Sequence, residues 1–189
     1  SNNGFTFNGE TESGFVGISV SAAGDFNSDG FEDVIIGAPG IEETYLLLGQ
    51  SSDFTNLTPS ALAGSNGMTI TGEADNFGLS VAGAGDFNGD GFDDLLIASD
   101  QSDSENPSPA DESYVIFGTD ETLPVSLDVS ELDGNNGFVI QRTDERDRSQ
   151  LSVANAGDVN GDGTDDILVG ASDADANNLT DTGISYVIF

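Results

Sequence analysis

Apolar residues along this chain gather in short runs, and stretches rich in Gly, Asp, Asn and Ser divide them. The runs recur in a fixed order. A segment rich in small residues comes first: Ile18-Ser19-Val20-Ser21-Ala22-Ala23-Gly24, Leu79-Ser80-Val81-Ala82-Gly83-Ala84-Gly85 and Leu151-Ser152-Val153-Ala154-Asn155-Ala156-Gly157. An acidic loop follows, then Val34-Ile35-Ile36, Leu95-Leu96-Ile97 or Ile167-Leu168-Val169. Next come Tyr45-Leu46-Leu47-Leu48, Tyr114-Val115-Ile116-Phe117 and Tyr186-Val187-Ile188-Phe189, which hold the only three tyrosines of the chain. A fourth type of segment appears at Gly4-Phe5-Thr6-Phe7, Gly67-Met68-Thr69-Ile70 and Gly137-Phe138-Val139-Ile140.

Short β-rich segments bounded by turn residues predict strands, so each unit reads as a four-stranded antiparallel sheet. The third segment is apolar at consecutive positions, as expected of a strand covered on both faces. The first, rich in Gly, Ala and Ser, lets another backbone come close. That combination suits the crowded inner strand of a propeller blade. Helical periodicity is weak; the best candidates are short turns near Ser60-Ala61-Leu62 and Val129-Ser130-Glu131-Leu132. The fold class expected is all-β, with three blade-equivalents in approximate units 14–72, 73–142 and 143–189. Residues 1–13 are expected to supply a blade-closing strand, which makes twelve strands in a circularly shifted frame. A closed propeller has four to eight blades. Three blades therefore call for a longer array or for further copies of the chain, and two copies would give six blades.

The acidic loop is the most specific element. It runs from Asp25 to Asp33, from Asp86 to Asp94 and from Asp158 to Asp166, each time as Asp-x-Asn-x-Asp-Gly-x-x-Asp. Oxygen ligands at alternate positions around a glycine turn are what calcium requires. The carboxylates at positions 1, 5 and 9 are Asp25, Asp29 and Asp33; Asp86, Asp90 and Asp94; and Asp158, Asp162 and Asp166. Position 3 offers the amide oxygen of Asn27, Asn88 or Asn160. Position 7, which is Phe31, Phe92 or Thr164, offers its backbone carbonyl, since the three side chains share no oxygen. Counting the last aspartate as bidentate gives six oxygens, within the range calcium accepts. An EF-hand would need a Glu at position 12 between two helices. Here that position is Ile36, Ile97 or Val169, and β-type segments flank the loop. Magnesium, which keeps its waters, suits an all-protein cage less well. Three Ca²⁺ sites of structural kind are expected.

Composition narrows the function further. There are 35 acidic residues against three basic ones, with no histidine and no cysteine, and the net charge is −32. Nucleic acid and anionic membrane surfaces would be repelled, whereas cations or a salty medium that screens self-repulsion are favoured. Nucleophilic triads of the Ser-His or Cys-His kind are excluded, and zinc catalysis is disfavoured for the same lack of ligands. A carboxylate pair could serve a glycosidase or lyase, but nothing singles out a pair beyond the nine aspartates assigned to calcium, so the expectation is no enzyme. No run reaches the ~18 apolar residues of a membrane span, and no signal-like segment opens the chain. This reads as a mature soluble segment. Arg142, Arg146 and Arg148 carry all the positive charge; they suit either a docking patch for an acidic partner or local pairing with Asp144, Glu145 and Asp147. The acidic stretch from Asp100 to Ser113 suits an interaction loop or a solvated insertion.

With Gly85-Asp86-Phe87-Asn88-Gly89-Asp90-Gly91-Phe92-Asp93-Asp94-Leu95-Leu96-Ile97 and Ile36-Gly37-Ala38-Pro39, the chain resembles the FG-GAP repeats of integrin α-subunit β-propellers. Phe77-Gly78 keeps the first short element, Phe15-Val16-Gly17 nearly keeps it, and Gln150-Leu151 replaces it; Gly-Ala-Pro survives only in the first unit. The resemblance implies that the loop lies in the hairpin between the first two strands of a blade. It also implies an extracellular or cell-surface adhesion and recognition module with a protein or carbohydrate ligand. Alternatives are a building block joined by strand exchange between copies, or a noncatalytic propeller attached to a secreted hydrolase or lyase.

Overall fold

The computed structural model describes residues 4–51, 55–100, 112–141, 151–176 and 179–189. Arg142, Arg146 and Arg148, and most of the acidic stretch after Asp100, lie outside the described residues. Twelve strands and three one-turn 3₁₀ segments make up the regular structure, with no α-helix among the described residues. The first sheet has the order β1 (Val20–Gly24), β2 (Asp33–Ala38), β3 (Glu43–Leu47), β4 (Gly67–Thr71) and β8 (Ser126–Asp128). In the second, β5 (Ser80–Gly85), β6 (Asp94–Ala98), β7 (Glu112–Ile116) and β9 (Gly137–Gln141) lie side by side. The third holds β10 (Leu151–Gly157), β11 (Asp166–Ala171) and β12 (Ile184–Ile188). The all-β expectation is met, the sheets are blade-like, and they do not close into a ring. Two of the 3₁₀ turns, Pro59–Ala61 and Val129–Glu131, fall where the sequence suggests short turns.

Alternation along the strands decides which sheet meets which. Ile35 and Leu46 point from the first sheet toward the second, where Val81, Leu95, Ile97 and Tyr114 meet them around Phe26 and Phe77. On its far side the second sheet sends Ala82, Leu96 and Val115 against Leu151, Val153, Ile167 and Val169 of the third. The opposite face of the first sheet, with Ile36, Tyr45 and Leu47, packs against Leu62 and, less deeply, Phe5, Phe7, Val16 and Ile41. Small residues let the inner strands stack. A Cβ on Gly83 would lie 2.8 Å from the Ala22 carbonyl oxygen.

The blades are not all four-stranded. β8 adds to the first sheet in parallel, pairing Thr69 with Ser126, Ile70 with Leu127 and Thr71 with Asp128. It belongs to the connection between β7 and β9 of the next unit, so this connection runs along the outer strand of the blade before it. The same arrangement recurs in reduced form at the chain start, where Phe7 bridges Leu57 in parallel. The Leu57 N–H donates to the Thr6 carbonyl at 2.9 Å and the Asn8 N–H to the Leu57 carbonyl at 3.0 Å. The physical reason is that an outer strand leaves a row of unpaired backbone groups, which a passing chain can satisfy. Residues 4–7 thus lie beside the first sheet, and Phe7 meets the Tyr45 ring at 5.1 Å.

Candidate metal centres

Each acidic loop is the hairpin between an inner strand and its neighbour. The inner strand ends in a bulge at Gly24, Gly85 or Gly157, and all three glycines pair directly with the last loop aspartate: Gly24 with Asp33, Gly85 with Asp94 and Gly157 with Asp166. Position 6 requires positive φ in all three loops, +89° at Gly30, +93° at Gly91 and +100° at Gly163. A side chain there would be strained, which is why glycine recurs.

Inside the loop the side chains fold the backbone around themselves. In the first, the Asp29 N–H donates to Asp25 Oδ1 at 2.9 Å and the Gly30 N–H to Asp25 Oδ2 at 3.0 Å. The Asn27 amide donates to Asp29 Oδ2 at 3.0 Å, and the Phe31 N–H donates to Asp29 Oδ1 at 3.0 Å. The second loop repeats these contacts from Gly91 to Asp86, from Asn88 to Asp90 and from Phe92 to Asp90. The third repeats them from Gly163 to Asp158 and from Asn160 to Asp162, and both the Thr164 N–H and hydroxyl donate to Asp162. Those donations hold the Asp162 carboxyl below its ordinary range, the hydroxyl contributing most.

Position 9 sits apart, buried at the sheet end of the loop. Asp33 Oδ2 accepts from the Phe26 N–H at 3.0 Å and its Oδ1 from the Gly49 N–H at 2.8 Å. Asp94 accepts in the same way from Phe87 at 3.1 Å and from Gly118 at 2.8 Å. Asp166 Oδ2 accepts from Val159 at 2.7 Å, while its Oδ1 is buried with no partner among the described residues. Burial raises the Asp33 carboxyl to about 6, and the carboxylates of Asp29 and Asp25 push the same way. Asp94 is raised to about 7, by burial first and by Asp90 as well.

The structure therefore brings positions 1, 3 and 5 together through backbone donors and sets position 9 behind them. Among the described residues, no three carboxylates are drawn in around a common point as a cation would draw them. The donor set still fits a hard divalent cation. It is all oxygen, it carries three carboxylates per loop, and Asp86 Oδ1 is buried with no hydrogen-bond partner among the described residues. Two buried aspartates whose ionised form lacks a counter-charge point the same way.

Position 8 escapes a reading of the loop alone. Asp93 Oδ2 accepts from the Asp25 N–H at 2.7 Å, and Asp165 Oδ2 from the Asp86 N–H at 3.2 Å. The second and third loops thus each grip the first residue of the loop in the blade before it. A second seam contact joins inner strands: Ser19 Oγ accepts from the Val81 N–H at 3.0 Å, and Ser80 Oγ from the Val153 N–H at 3.1 Å. The recurrence of an acid at Glu32, Asp93 and Asp165, and of serine at 19, 80 and 152, was the available signal.

Comparison with known proteins places this geometry. The family model for the FG-GAP repeat matches residues 16–41, 77–116 and 151–188. Integrin alpha pat-2 of Caenorhabditis elegans is 31% identical over 132 residues, covering 67% of this chain and 10% of that protein. Integrin alpha-4 of Xenopus laevis is 27% identical over 181 residues, covering 94% of the chain and 16% of the relative. Human integrin alpha-7 is 38% identical over 93 residues, or 45% of the chain and 7% of the relative. The chain spans a small fraction of the length of these relatives.

Proposed function

This chain belongs to the FG-GAP repeat family, and from that premise we propose that it is an extracellular, noncatalytic adhesion or recognition module whose blade hairpins are held by calcium. One observation carries the reading. Each of the three acidic loops, 25–33, 86–94 and 158–166, falls inside one of the three matched repeats. Integrin α subunits, the relatives it resembles, supply the adhesive role and the cell-surface setting. A protein or carbohydrate ligand is the partner this implies.

Positions 1, 3, 5 and 9 and the position-7 carbonyl would hold the ion in each loop, from Asp25 to Asp33, Asp86 to Asp94 and Asp158 to Asp166. Bound calcium would supply the positive charge these carboxylates lack. The chain's own part is positional. The loop backbone is already wrapped on positions 1 and 5, and position 9 ties the loop to the connection after the third strand through Gly49 or Gly118. Position 8 then passes the loop's placement to the preceding blade. A rigid loop thus sets the hairpin tips and the spacing of blades, which is what a binding surface built from loops requires.

Binding of the chain to an array of extracellular-matrix proteins and glycans, in calcium and in chelator, tests this. Retention on at least one surface that chelator abolishes is the expected result. Binding to none of them, or binding indifferent to chelator, contradicts it.

A further inference from the structure

Position 1 anchors each acidic loop. Asp25 uses both carboxylate oxygens on its own loop, accepting from the Asp29 and Gly30 N–H groups, and Asp86 accepts from the Gly91 N–H in the same way. Where that carboxylate lies depends on the backbone that carries it, and the backbone is held from outside the loop. The Asp25 N–H donates to Asp93 Oδ2 at 2.7 Å, and the Asp86 N–H to Asp165 Oδ2 at 3.2 Å. Asp165 also donates its own N–H to the Asp86 carbonyl at 3.1 Å.

By sequence Asp93 belongs to the second loop and Asp165 to the third, yet the bonds they accept come from the blade before. Each precedes a position-9 aspartate, and neighbouring residues at the start of a strand point to opposite sides. Asp94 turns to the Phe87 N–H of its own loop, and Asp93 turns across the seam to Asp25. The earlier blade leaves room for the acid. Gly24 and Gly85 have φ of +74° and +69°, and a Cβ on them would lie 2.2 Å from Asp93 Oδ2 and 1.9 Å from Asp165 Oδ2. A side chain at either glycine would expel the carboxylate. Both contacts are partly buried, so losing the acceptor leaves a half-desolvated N–H at the root of the loop.

We propose that Asp93 and Asp165 are positioning residues for calcium in the loop of the preceding blade. Asp93 serves the first loop, Asp165 serves the second, and neither is a ligand. The inference rests on the calcium reading above and adds to it which residues outside a loop set its affinity. Fixing the N–H of position 1 orients its carboxylate, as an outer hydrogen-bond partner orients a metal ligand.

The test uses the full chain, with Asp93→Ala, Asp93→Asn and Asp165→Ala titrated with calcium while amide resonances are followed by NMR. Gly30, Gly91 and Gly163 report one loop each, because their N–H groups donate to Asp25, Asp86 and Asp158. Asp93→Ala should weaken calcium binding at Gly30 about tenfold or more and leave Gly91 and Gly163 much less affected. Asp93→Asn, which keeps an oxygen acceptor and loses the charge, should restore most of the affinity. Asp165→Ala should move the loss to Gly91. Hydrogen exchange in chelator gives a metal-free readout: the Asp25 amide should exchange faster in Asp93→Ala than in the parent or Asp93→Asn. A loss centred on Gly91 in Asp93→Ala, equal losses at all three glycines, or no rescue by asparagine overturns the inference and leaves calcium binding standing. A parent chain whose three glycines ignore calcium contradicts the calcium reading itself, and the inference falls with it.

Discussion

Asp94 shows how much one side chain holds in this molecule. It is fully buried, accepts from the Phe87 and Gly118 N–H groups, and pairs across the hairpin with Gly85. Asp94→Ala therefore strands the buried Gly118 N–H even without a metal, at a cost of about 1–3 kcal/mol, while the Phe87 N–H keeps the Gly85 carbonyl as acceptor. Chemical denaturation in chelator should report a loss on the order of 1–3 kcal/mol. Calcium titration by calorimetry should then count two sites, where the proposed function expects three for the parent chain. Glycine gives a second residue-level contrast. Gly37→Ala forces a Cβ to 2.0 Å from the Gly78 carbonyl, and overpacking of this kind costs about 1–3 kcal/mol. Gly170→Ala meets nothing nearer than 3.7 Å and should leave the monomer's stability within about 0.5 kcal/mol. Equal losses for the two would show that the first seam is looser than described.

The strands were the most legible elements, because period and repetition agree. Ile35 and Ile36 face opposite sides of one sheet and both are buried, as an apolar run in a sandwiched strand implies. What sequence could not convey was adjacency between units. Ser126-Leu127-Asp128 is too short and too polar to read as a strand, and it forms one only because β4 of another unit offers an open edge. The grip of Asp93 on Asp25 joins residues far apart in the chain, so only its recurrence as Asp165 on Asp86 was on view. The acids and amides of the loops were legible as residue types, while the tie of position 9 to Gly49 and Gly118 was not. The third strands of the first two blades add another element-level feature. Tyr45 and Tyr114 are buried and donate their hydroxyls to Glu43 and Glu112 two residues back on the same strand. Burial first, then the neighbouring carboxylate, raises both phenols well above the usual tyrosine range. The folded state therefore keeps these protons where the unfolded chain loses them near pH 10. Stability from the pair is complete below that pH and falls as pH rises above it. Denaturation midpoints measured from pH 8 to 11 should fall above pH 10. Replacing both tyrosines by Phe should flatten that limb, and a parent profile already flat above pH 10 would contradict the assignment.

At the scale of the whole molecule, the problem is charge. A 189-residue chain with a net charge of −32 has to fold against its own repulsion, and twelve of its 35 acids sit in the three loops. The blades are joined by apolar clusters and by the serine and position-8 contacts, and those contacts depend on where the loops lie. Calcium in the loops would lower the charge and fix the tips together, linking ion binding to folding. Screening by any divalent salt would also help, so the two effects must be separated. Thermal unfolding in chelator, in magnesium and in calcium at equal concentration does this, because both cations screen alike and only coordination differs. With calcium at about a hundred times its dissociation constant, each site contributes about 2.7 kcal/mol. For three sites in a chain of this size the melting temperature should rise on the order of 20 °C over chelator, with magnesium giving a small fraction of that. A melting curve that calcium leaves where magnesium leaves it would contradict the role assigned to all three loops.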